Sequence, residues 1–417
     1  MVAAQLARRG IGSVLIEGGG RTGQGIAYST DEPAHVLNVR AESMSAWPDD
    51  PEHFARASGD PKGFAERRRF GRYLREILAE AVASGHVEVV EDRAVAVLRE
   101  AEGWRIELDD GGRTITAEAL VLAIGNQPPE PFAGGIINNP WDEEAKAAVR
   151  DAAASGGDVL LIGTGLTMID TVLSLSAAGH RGRIIALSRR GQIPKAHADF
   201  EAAPVDASEL PARLMGLWRW LRKRSAEVGW RAAVDSLRPH SHTLWQGLSQ
   251  TEQRRFLRHA RPWWDVHRHR IAPEVARQIG DMVAAGRLEI VAGRTGEVRG
   301  VDGGLEVEIK RRAPPPAPAP EGAGRKFQFV FNCTGPLGAI ERSRDPMLRR
   351  MLDEGLVRPD PLAIALDVDE RSRVAGAERL WALGPLTKGC YWEIVAVPDI
   401  REQAGAVAED IAGELES

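Results

Sequence analysis

Apolar and polar positions along the chain follow two periods, and the period predicts which element each stretch forms. Residues 1–10 and 70–85 carry apolar side chains at helical spacing, and each stretch ends at a glycine, as helices commonly do. Between them, Ser13–Glu17 (SVLIE) is a short apolar run closed by an acid. The N-terminal pattern therefore predicts a helix, a strand and, after an extended stretch, a second helix.

Further along, strand-like stretches alternate with turn signals. Apolar and polar residues alternate on both sides of Asp110-Gly111-Gly112, which predicts a hairpin. Residues 119–125 and 327–335 are continuous apolar runs ending in glycine, as expected for strands buried on both faces. Residues 158–190 read as strand, Gly-rich turn, helix and strand, whereas residues 198–285 are helix-like and rich in tryptophan and histidine.

The stretch up to Glu17 has the pattern of the second half of a β-α-β unit. In a dinucleotide-binding unit, an acid at the end of the second strand binds the ribose hydroxyls. The preceding strand and its Gly-x-Gly-x-x-Gly turn are missing before Met1. We expect that the chain is truncated there; the alternative is that Met1 is the true start and the first helix packs alone.

A second candidate nucleotide site lies at Gly163-Thr164-Gly165-Leu166-Thr167. The first glycine permits a tight turn, and the second lets backbone N–H groups approach a pyrophosphate at the positive end of a helix. Met168 takes the place of the third glycine. Since the motif follows an apolar strand and opens a helix, it predicts dinucleotide binding; a purely structural turn is the alternative.

The strand after this helix ends in Ser188, Arg189 and Arg190, where an NAD-specific site would have an acid. A carboxylate would repel a 2'-phosphate, whereas an arginine offers it a planar set of donors. The sequence therefore favours NADPH over NADH, unless the arginines only form a solvated face.

The two apolar strands that end in Gly125 and Gly335 let the chain turn sharply where a cofactor crosses the strand ends. Together with Glu17, they predict an α/β fold with two nested Rossmann-like dinucleotide-binding domains, one for FAD and one for NADPH. The predicted limits are residues 1–150 and 336–417 for the FAD domain and 151–335 for the NAD(P)H domain, which includes a helical insertion at about 198–285.

Composition narrows the class of protein further. The 417 residues are 43% hydrophobic and 27% charged, with a net charge of −5, and no apolar run is long enough for a membrane helix. We therefore expect a cytoplasmic protein whose partners are small molecules, and neither nucleic acid nor a membrane. The two cysteines, Cys333 and Cys390, form no motif of a metal site or a redox dithiol.

Many motifs in order carry a resemblance to a known family. They are GIAYST, HVLNVRAESMS, FGRYL, LAIGNQPP, NPWD, GTGLTMID, SRRG, WWDVHRHR, NCTGP and ALGPLTKGCYWEIVAVPDIR. The chain resembles bacterial FAD/NAD(P)-binding flavoproteins that are distantly related to class B flavin monooxygenases and include FAD-dependent urate hydroxylases. The resemblance implies FAD, NADPH and O2 as reactants.

The resemblance also implies roles for individual residues. Glu17 would bind the adenosine ribose and the backbone of Val95 the adenine. The remaining FAD contacts that it implies are Gly25, Asn38, Val39, Met44, Gly125 and Gly384. Gly384 is followed by Pro385 where many flavoproteins have aspartate. The turn before Trp392 would present backbone N–H groups to the flavin pyrimidine, where they stabilise the reduced ring.

The run WWDVHRHR is open to two interpretations. His267 and His269 are two residues apart and diverge on a helix, so we expect no metal site. Asp265, His267 and Arg270 either line a substrate pocket between the domains or belong to a salt-bridged helix with tryptophans in the core.

The leading functional hypothesis is an NADPH-dependent flavin monooxygenase that hydroxylates a small, purine-like substrate, with Asn38 hydrogen bonding near the flavin. A flavin-dependent reductase or oxidase without oxygen insertion is the first alternative. A nucleotide-binding module without turnover is the second. The sequence leaves the substrate and the oligomeric state open.

Overall fold

The structure is a computed structural model that describes residues 1–311 and 324–416. The N-terminal part confirms the predicted helix, strand and second helix. Its elements are α1 (Val2–Arg8), β1 (Ser13–Ile16), α2 (Gly25–Tyr28), α3 (His53–Ser58), α4 (Arg67–Ala83), β2 (Val87–Val90), β3 (Ala94–Glu100), β4 (Gly103–Leu108), β5 (Thr114–Ala117) and β6 (Leu120–Leu122).

The middle of the chain contains the predicted β-α-β unit and the helical insertion. Its elements are α5 (Glu143–Ser155), β7 (Val159–Ile162), α6 (Leu166–Ala177), β8 (Ile184–Ser188), α7 (Leu214–Val228), α8 (Trp230–Ser236), α9 (Ser241–Gly247), α10 (Gln250–Arg255), α11 (Arg261–Arg268), α12 (Pro273–Ala284), β9 (Leu288–Val301), β10 (Gly304–Arg311), β11 (Arg325–Phe327) and β12 (Phe329–Asn332). The C-terminal elements are α13 (Pro346–Asp353), β13 (Leu380–Ala382), α14 (Lys388–Tyr391) and α15 (Val397–Leu415).

A six-stranded sheet forms the centre of the middle part, in the order β11-β10-β9-β8-β7-β12. Strands β12, β7, β8 and β9 are parallel, and β9, β10 and β11 are antiparallel. Side chains of β7 and β8 are buried on both faces, which explains their continuous apolar sequence. Helices α5, α6 and α12 pack their apolar faces onto one side of this sheet. Helix α5 crosses the predicted domain limit at residue 150.

Among the described residues, the strands outside this sheet form three smaller sheets. β1 pairs with β2, and β6 pairs in parallel with β13, in two separate two-stranded sheets. The predicted hairpin is confirmed, since β3, β4 and β5 form an antiparallel sheet. β6 is only three residues long, and Leu120 and Val121 are half-buried rather than buried on both faces. Among the described residues β6 has a strand partner on one edge only, which accounts for this exposure.

A buried ion pair joins the N-terminal part to the β-α-β unit. The Arg67 guanidinium at the start of α4 donates two hydrogen bonds, both of 2.9 Å, to the Asp170 carboxylate on α6. Both side chains are 8% exposed. The Arg67 Nε also donates to the Val36 carbonyl, at 3.0 Å. The planar guanidinium therefore fixes α6 against two segments of the N-terminal part.

A buried histidine reinforces the same junction. The His35 Nε2 lies 3.0 Å from the carbonyl oxygen of Asp170 and 2.9 Å from the hydroxyl of Ser174, both on α6. Its Nδ1 lies 2.9 Å from the Thr30 hydroxyl. Both ring nitrogens thus have partners, as buried polar groups require. We call Arg67, Asp170 and His35 the interdomain latch.

We predict that Arg67→Met lowers the free energy of unfolding by roughly 3–5 kcal/mol, because it leaves the Asp170 carboxylate buried without its counter-ion. Asp170→Asn should have a similar effect, and the double variant should lose less than the sum of the two. Urea unfolding followed by tryptophan fluorescence measures these values.

Lys146→Met is the matched control. It removes an ion pair with Glu143 in which the side chains are 48% and 82% exposed, so the loss should stay below about 1 kcal/mol. Equal losses in Arg67→Met and Lys146→Met would contradict the assignment of a buried latch.

Candidate functional site

A cavity of about 980 Å³ lies where the N-terminal part, the β-α-β unit, the helical insertion and the C-terminal segment meet. Nine of the predicted site residues line it: Asn38, Val39, Met44, Leu166, Thr167, Asp265, Arg270, Gly335 and Trp392. These residues are scattered from position 38 to position 392 in the sequence. The fold therefore gathers residues predicted for the flavin, the second nucleotide and the substrate around one space.

The N-terminus of α6 opens onto this cavity. Gly165 is the residue before the helix, and no side chain caps the backbone N–H groups of the first turn. Leu166 and Thr167 line the cavity. A side chain added at Gly165 would meet no other atom within 4 Å, so the space in front of the helix is open. Free N–H groups facing an open space fit a pyrophosphate.

Gly163, two residues earlier, is glycine for a different reason. Its φ is +125°, and a Cβ there would lie 2.0 Å from the Cys333 carbonyl oxygen on the neighbouring strand. Gly163 thus permits the close approach of two backbones and lies away from the cavity wall. Of the two glycines predicted to serve the nucleotide, Gly165 is the one with open space beside it.

The end of β8 presents the two predicted arginines. Arg189 is exposed and Arg190 half-buried, and neither has a hydrogen bond or an ion pair within residues 1–311 and 324–416. Ser188 is engaged, because its hydroxyl accepts from the N–H of Gly191 at 3.1 Å and lies 2.8 Å from the Thr164 hydroxyl. Two unpaired cations are therefore available to a phosphate, while Ser188 shapes the turn.

Asn38 and His197 connect two walls of the cavity. The His197 Nε2 lies 2.9 Å from the carbonyl oxygen of Asn38, and both residues line the cavity. The Asn38 side chain makes no hydrogen bond to any described residue, so its amide is available to a ligand. Burial lowers the pKa of His197 to about 4. The imidazole is therefore neutral at neutral pH and donates from Nε2 to Asn38.

The insertion contributes a wall of charged residues. The Asp265 carboxylate accepts from the Arg261 Nε at 3.2 Å, and burial raises its pKa. The Arg268 Nε lies 2.9 Å from the Glu393 Oε2, and the Trp264 indole donates to the Glu393 Oε1 at 2.7 Å. The side chains of Arg268 and Glu393 are only 12% and 8% exposed. Charged groups buried to this extent are costly unless they are paired or serve a ligand.

Trp392 stands at a strained position between two cavities. Its φ is +49° and ψ −66°, and the Glu393 N–H donates to the Tyr391 carbonyl at 2.6 Å, which makes a γ-turn of the rare strained kind. The indole stacks on Trp245 at 4.9 Å and borders both the large cavity and an apolar pocket in the insertion. Backbone strain of this kind concentrates at functional sites.

The backbone donors expected near Trp392 are partly used within the turn. The N–H groups of Trp392 and Val395 donate to the carbonyls of Lys388 and Glu393, as the Glu393 N–H does to Tyr391. Val397, at the start of α15, lines the cavity beside them. Any donors to a flavin ring would therefore come from the residues after the turn.

Besides Gly384 and Pro385, ten predicted site residues do not line the cavity: Glu17, Gly25, Val95, Gly125, Gly163, Gly165, Ser188, Arg189, Arg190 and His267. The Glu17 carboxylate accepts from the N–H groups of Gly19 and Arg21 at 2.9 and 2.8 Å. His267 contacts the Trp263 carbonyl at 2.7 Å and packs its ring edge against Trp230. His267 thus has the structural role that the sequence left as one alternative.

Gly384 and Pro385 are also outside the cavity lining. Gly384 has φ +58°, and its N–H donates to the Gln403 Oε1 at 2.7 Å. The Gln403 Nε2 in turn donates to the hydroxyls of Ser372 and Thr387. This buried network holds the turn after β13.

Sequence reasoning missed His197, Lys388, Glu393 and the latch. Burial lowers the pKa of Lys388 to about 8, and its Nζ lies 3.3 Å from the Asn126 Oδ1 in the cavity wall. Only Asp170 carried a signal in the sequence, because it is a single acid in an otherwise apolar helix and so requires a buried partner. The others became recognisable only through their neighbours in space.

Comparison with known proteins agrees with this geometry. Residues 1–127 match the family model NAD_binding_9, described as FAD-NAD(P)-binding. This match confirms the predicted FAD/NAD(P)-binding domain in the N-terminal part. No curated protein matches the chain.

Several solved structures share the overall architecture, and the first named here contains reduced FAD and NADP+. Ornithine N-hydroxylase from Kutzneria sp. 744 has a TM-score of 0.63 at 14% identity, covering 99% of this chain and 96% of that one. Ornithine hydroxylase from Pseudomonas aeruginosa has a TM-score of 0.62 at 14% identity, with 99% and 96% covered. Bacillithiol disulfide reductase from Staphylococcus aureus has 0.57 at 13%, with 99% and 94% covered. At these identities the likeness shows the fold, which confirms the predicted α/β class with Rossmann-type domains.

The described residues contain neither a candidate membrane-spanning helix nor a candidate metal-binding cluster. No helix there is both long and apolar enough to cross a membrane. No group of three or more histidine, cysteine, aspartate or glutamate side chains there is arranged to hold a metal ion.

We predict that His197→Gln flattens the pH dependence of stability between pH 6.5 and 4. The unfolded chain protonates His197 near pH 6.5, whereas the folded chain resists protonation down to about pH 4. The unfolded state then binds more protons, so the free energy of unfolding falls as the pH drops through this range. The slope should decrease by up to about 1.4 kcal/mol per pH unit, the limit for one proton.

Urea unfolding at several pH values measures the slope, and His259→Gln at an exposed position is the control. The control should keep the slope of the unaltered protein. If both variants keep that slope, folding does not lower the pKa of His197 and the assignment of a buried imidazole that resists protonation is wrong.

Proposed function

We propose that the protein is an FAD-dependent NADPH oxidoreductase that hydroxylates a small molecule with O2. The observation that carries this proposal is the shared cavity. The uncapped N-terminus of α6 opens onto the same space as Asn38, Val39 and Met44, which the sequence assigns to the flavin. A nicotinamide nucleotide held at α6 would therefore share one space with a flavin.

The residues present fit the two nucleotides. Open space at Gly165, free N–H groups at α6 and two unpaired arginines after β8 suit the phosphates of NADPH. On the other side, the half-buried Asn38 and Val39 and the buried Met44 suit the flavin ring. The match of residues 1–127 to an FAD-NAD(P)-binding model supports the assignment.

Bound FAD would accept a hydride from NADPH and, once reduced, react with O2 to oxygenate the substrate. The chain's own contribution is positioning and protection. We call the side of the cavity formed by Asn38, Val39 and Met44 the flavin wall. The latch fixes α6, and so the nucleotide, relative to the flavin wall. The neutral His197 holds the Asn38 backbone, which leaves the Asn38 amide free to donate to the ligand. The large side chains of Trp392 and Met44 contribute to the wall of the cavity.

The structures of the ornithine hydroxylases support oxygen insertion as the reaction class, since those proteins share the whole architecture. A purine-like substrate, as in the urate hydroxylases that the motifs resemble, stays a prediction. The proposed partners are therefore NADPH, O2 and one small molecule.

A reductase or oxidase that inserts no oxygen is the second candidate, because disulfide reductases have the same architecture. A dithiol mechanism finds no support in this chain. Both cysteines are free, and burial raises the pKa of the Cys333 thiol to about 12. Peroxide release equal to NADPH consumption, with no oxygenated product from any compound tested, would favour this candidate over the hydroxylase.

We predict that Gly165→Val blocks reduction of bound FAD by NADPH but leaves the FAD bound. The Cβ atom would meet no protein atom within 4 Å, so we expect the fold to be kept, but the side chain would occupy the space that the pyrophosphate needs. Anaerobic stopped-flow measurement of flavin absorbance gives the reduction rate, and the absorbance of the purified protein gives the FAD content. Chemical reduction with dithionite is the control and should proceed normally.

Loss of FAD from Gly165→Val would show that α6 holds the flavin nucleotide and that the two sites have been exchanged. An unchanged reduction rate would show that α6 holds neither.

We predict that Arg189→Ala with Arg190→Ala weakens use of NADPH much more than use of NADH. Each lost charge-assisted hydrogen bond to the 2'-phosphate costs roughly 1.5–3 kcal/mol, or about 10- to 150-fold. The ratio of kcat/KM for the two nucleotides measures the effect. Arg181→Ala with Arg222→Ala removes the same charge from other surfaces of the chain and should leave the ratio unchanged. Equal losses for NADPH and NADH would contradict the assignment.

A further inference from the structure

Arg270 is a buried cation whose side chain makes no hydrogen bond to any residue that the structure describes. It follows α11, is 4% exposed and lines the large cavity. No side-chain hydrogen bond from Arg270 occurs within the described residues, and its Nε is enclosed with no acceptor. A guanidinium has five N–H donors, and a buried one normally uses several of them. This side chain is therefore positioned for an acceptor that the protein does not supply.

The charges around Arg270 leave room for an anion. Its single ion-pair partner in the described part of the chain is Asp235, whose Oδ1 lies 3.5 Å from Nη2 and whose side chain is 46% exposed. Arg231 and Arg268 lie near enough to act electrostatically on Arg270, and their effect adds to that of burial in lowering its pKa.

Those neighbouring cations already have partners of their own. Arg231 donates to the Ala196 carbonyl at 2.8 Å, and Arg268 pairs with Glu393 at 2.9 Å. Among these three cations Arg270 therefore has the weakest compensation, and a bound anion would relieve its repulsion from the other two.

Aromatic rings flank the same guanidinium. Its central carbon lies 5.5 Å from the centre of the Phe200 ring and 5.8 Å from that of Trp230. Phe200 lines the cavity. An anion bound at Arg270 would therefore have an apolar, flat surface beside it.

We propose that Arg270 is the residue that binds the substrate, through a carboxylate carried on a flat or apolar body. The inference rests on the proposed function in one respect, that the large cavity is the place where the substrate reacts. A planar guanidinium matches the two oxygens of a carboxylate. The nearby Asp235 disfavours a doubly charged phosphate more strongly than a singly charged carboxylate.

The test uses benzoate as the probe and the fluorescence of the tryptophans beside Arg270 as the readout. Benzoate should change the fluorescence of the purified protein with saturation, and benzamide, which has the same shape without the charge, should not. Arg270→Met should weaken benzoate binding by roughly 10- to 100-fold, the range for a charge-assisted hydrogen bond to a buried partner. Arg222→Met, at an exposed position of α7, is the matched control and should bind benzoate normally.

Asp235→Asn provides a test in the opposite direction. It removes the carboxylate that competes for Arg270, so benzoate should bind several-fold more tightly. A damaged fold cannot produce tighter binding, so this result would support the proposal even if Arg270→Met proved unstable. Weaker or unchanged binding in Asp235→Asn would overturn it, as would equal effects of benzoate and benzamide.

Two further titrations distinguish the source of the anion and separate this inference from the proposed function. One outcome is that inorganic phosphate or NADP+ competes with benzoate in the unaltered protein and fails to compete in the double variant Arg189→Ala with Arg190→Ala. In that case the phosphate acts at the nucleotide site, and the carboxylate assignment stands. If phosphate binds more tightly than benzoate and this binding depends on Arg270, the residue serves a nucleotide phosphate and the proposal is wrong. The fluorescence readout needs no turnover, so failure of NADPH to reduce the FAD-loaded protein would refute the proposed function and leave the carboxylate assignment standing.

Discussion

The structure depends on one buried contact, the bidentate pair between Arg67 and Asp170. Both side chains are almost fully enclosed, so each needs the other to offset the cost of leaving water. The pair fixes the direction of α6 relative to the N-terminal part, and His35 adds two contacts to the same helix. Since α6 carries the candidate phosphate site at its N-terminus, the latch also sets where a nucleotide would lie relative to the flavin wall.

The cavity beside the latch has a more apolar wall on one side and a more charged wall on the other. The N-terminal wall carries apolar residues such as Leu37, Val39 and Met44, whereas the insertion contributes several arginines with carboxylate partners. An apolar wall suits a flat ring system, and a wall with an undercompensated cation suits a polar substrate. In the proposed function, the insertion would therefore add substrate specificity to the two nucleotide sites.

Features that depend on residues close together in the sequence could be predicted from it, whereas features that depend on packing between distant segments could not. The β-α-β unit from β7 to β8 was predictable because period, turn and glycine all act within about thirty residues. The role of Gly165 and of the two arginines at a phosphate stays a prediction of the same local kind, since it rests on their places at the ends of the two strands of this unit. His267 could not be assigned, because whether a ring on a helix faces a ligand or Trp230 depends on what packs against that helix.

The sequence by itself determined the class of fold and the local turn that would hold a nucleotide phosphate, because hydrophobic period and backbone freedom are properties of neighbouring residues. Only the tertiary structure decided which residues share the cavity and which ionisable groups are buried there. His197 and Lys388 have ordinary sequence neighbours, and the run that contains Arg270 left its role open. The properties of all three come from burial among residues far away in the chain. Burial and charge depend on distances in space, and these are set only when the N-terminal part, the insertion and the C-terminal segment have packed together.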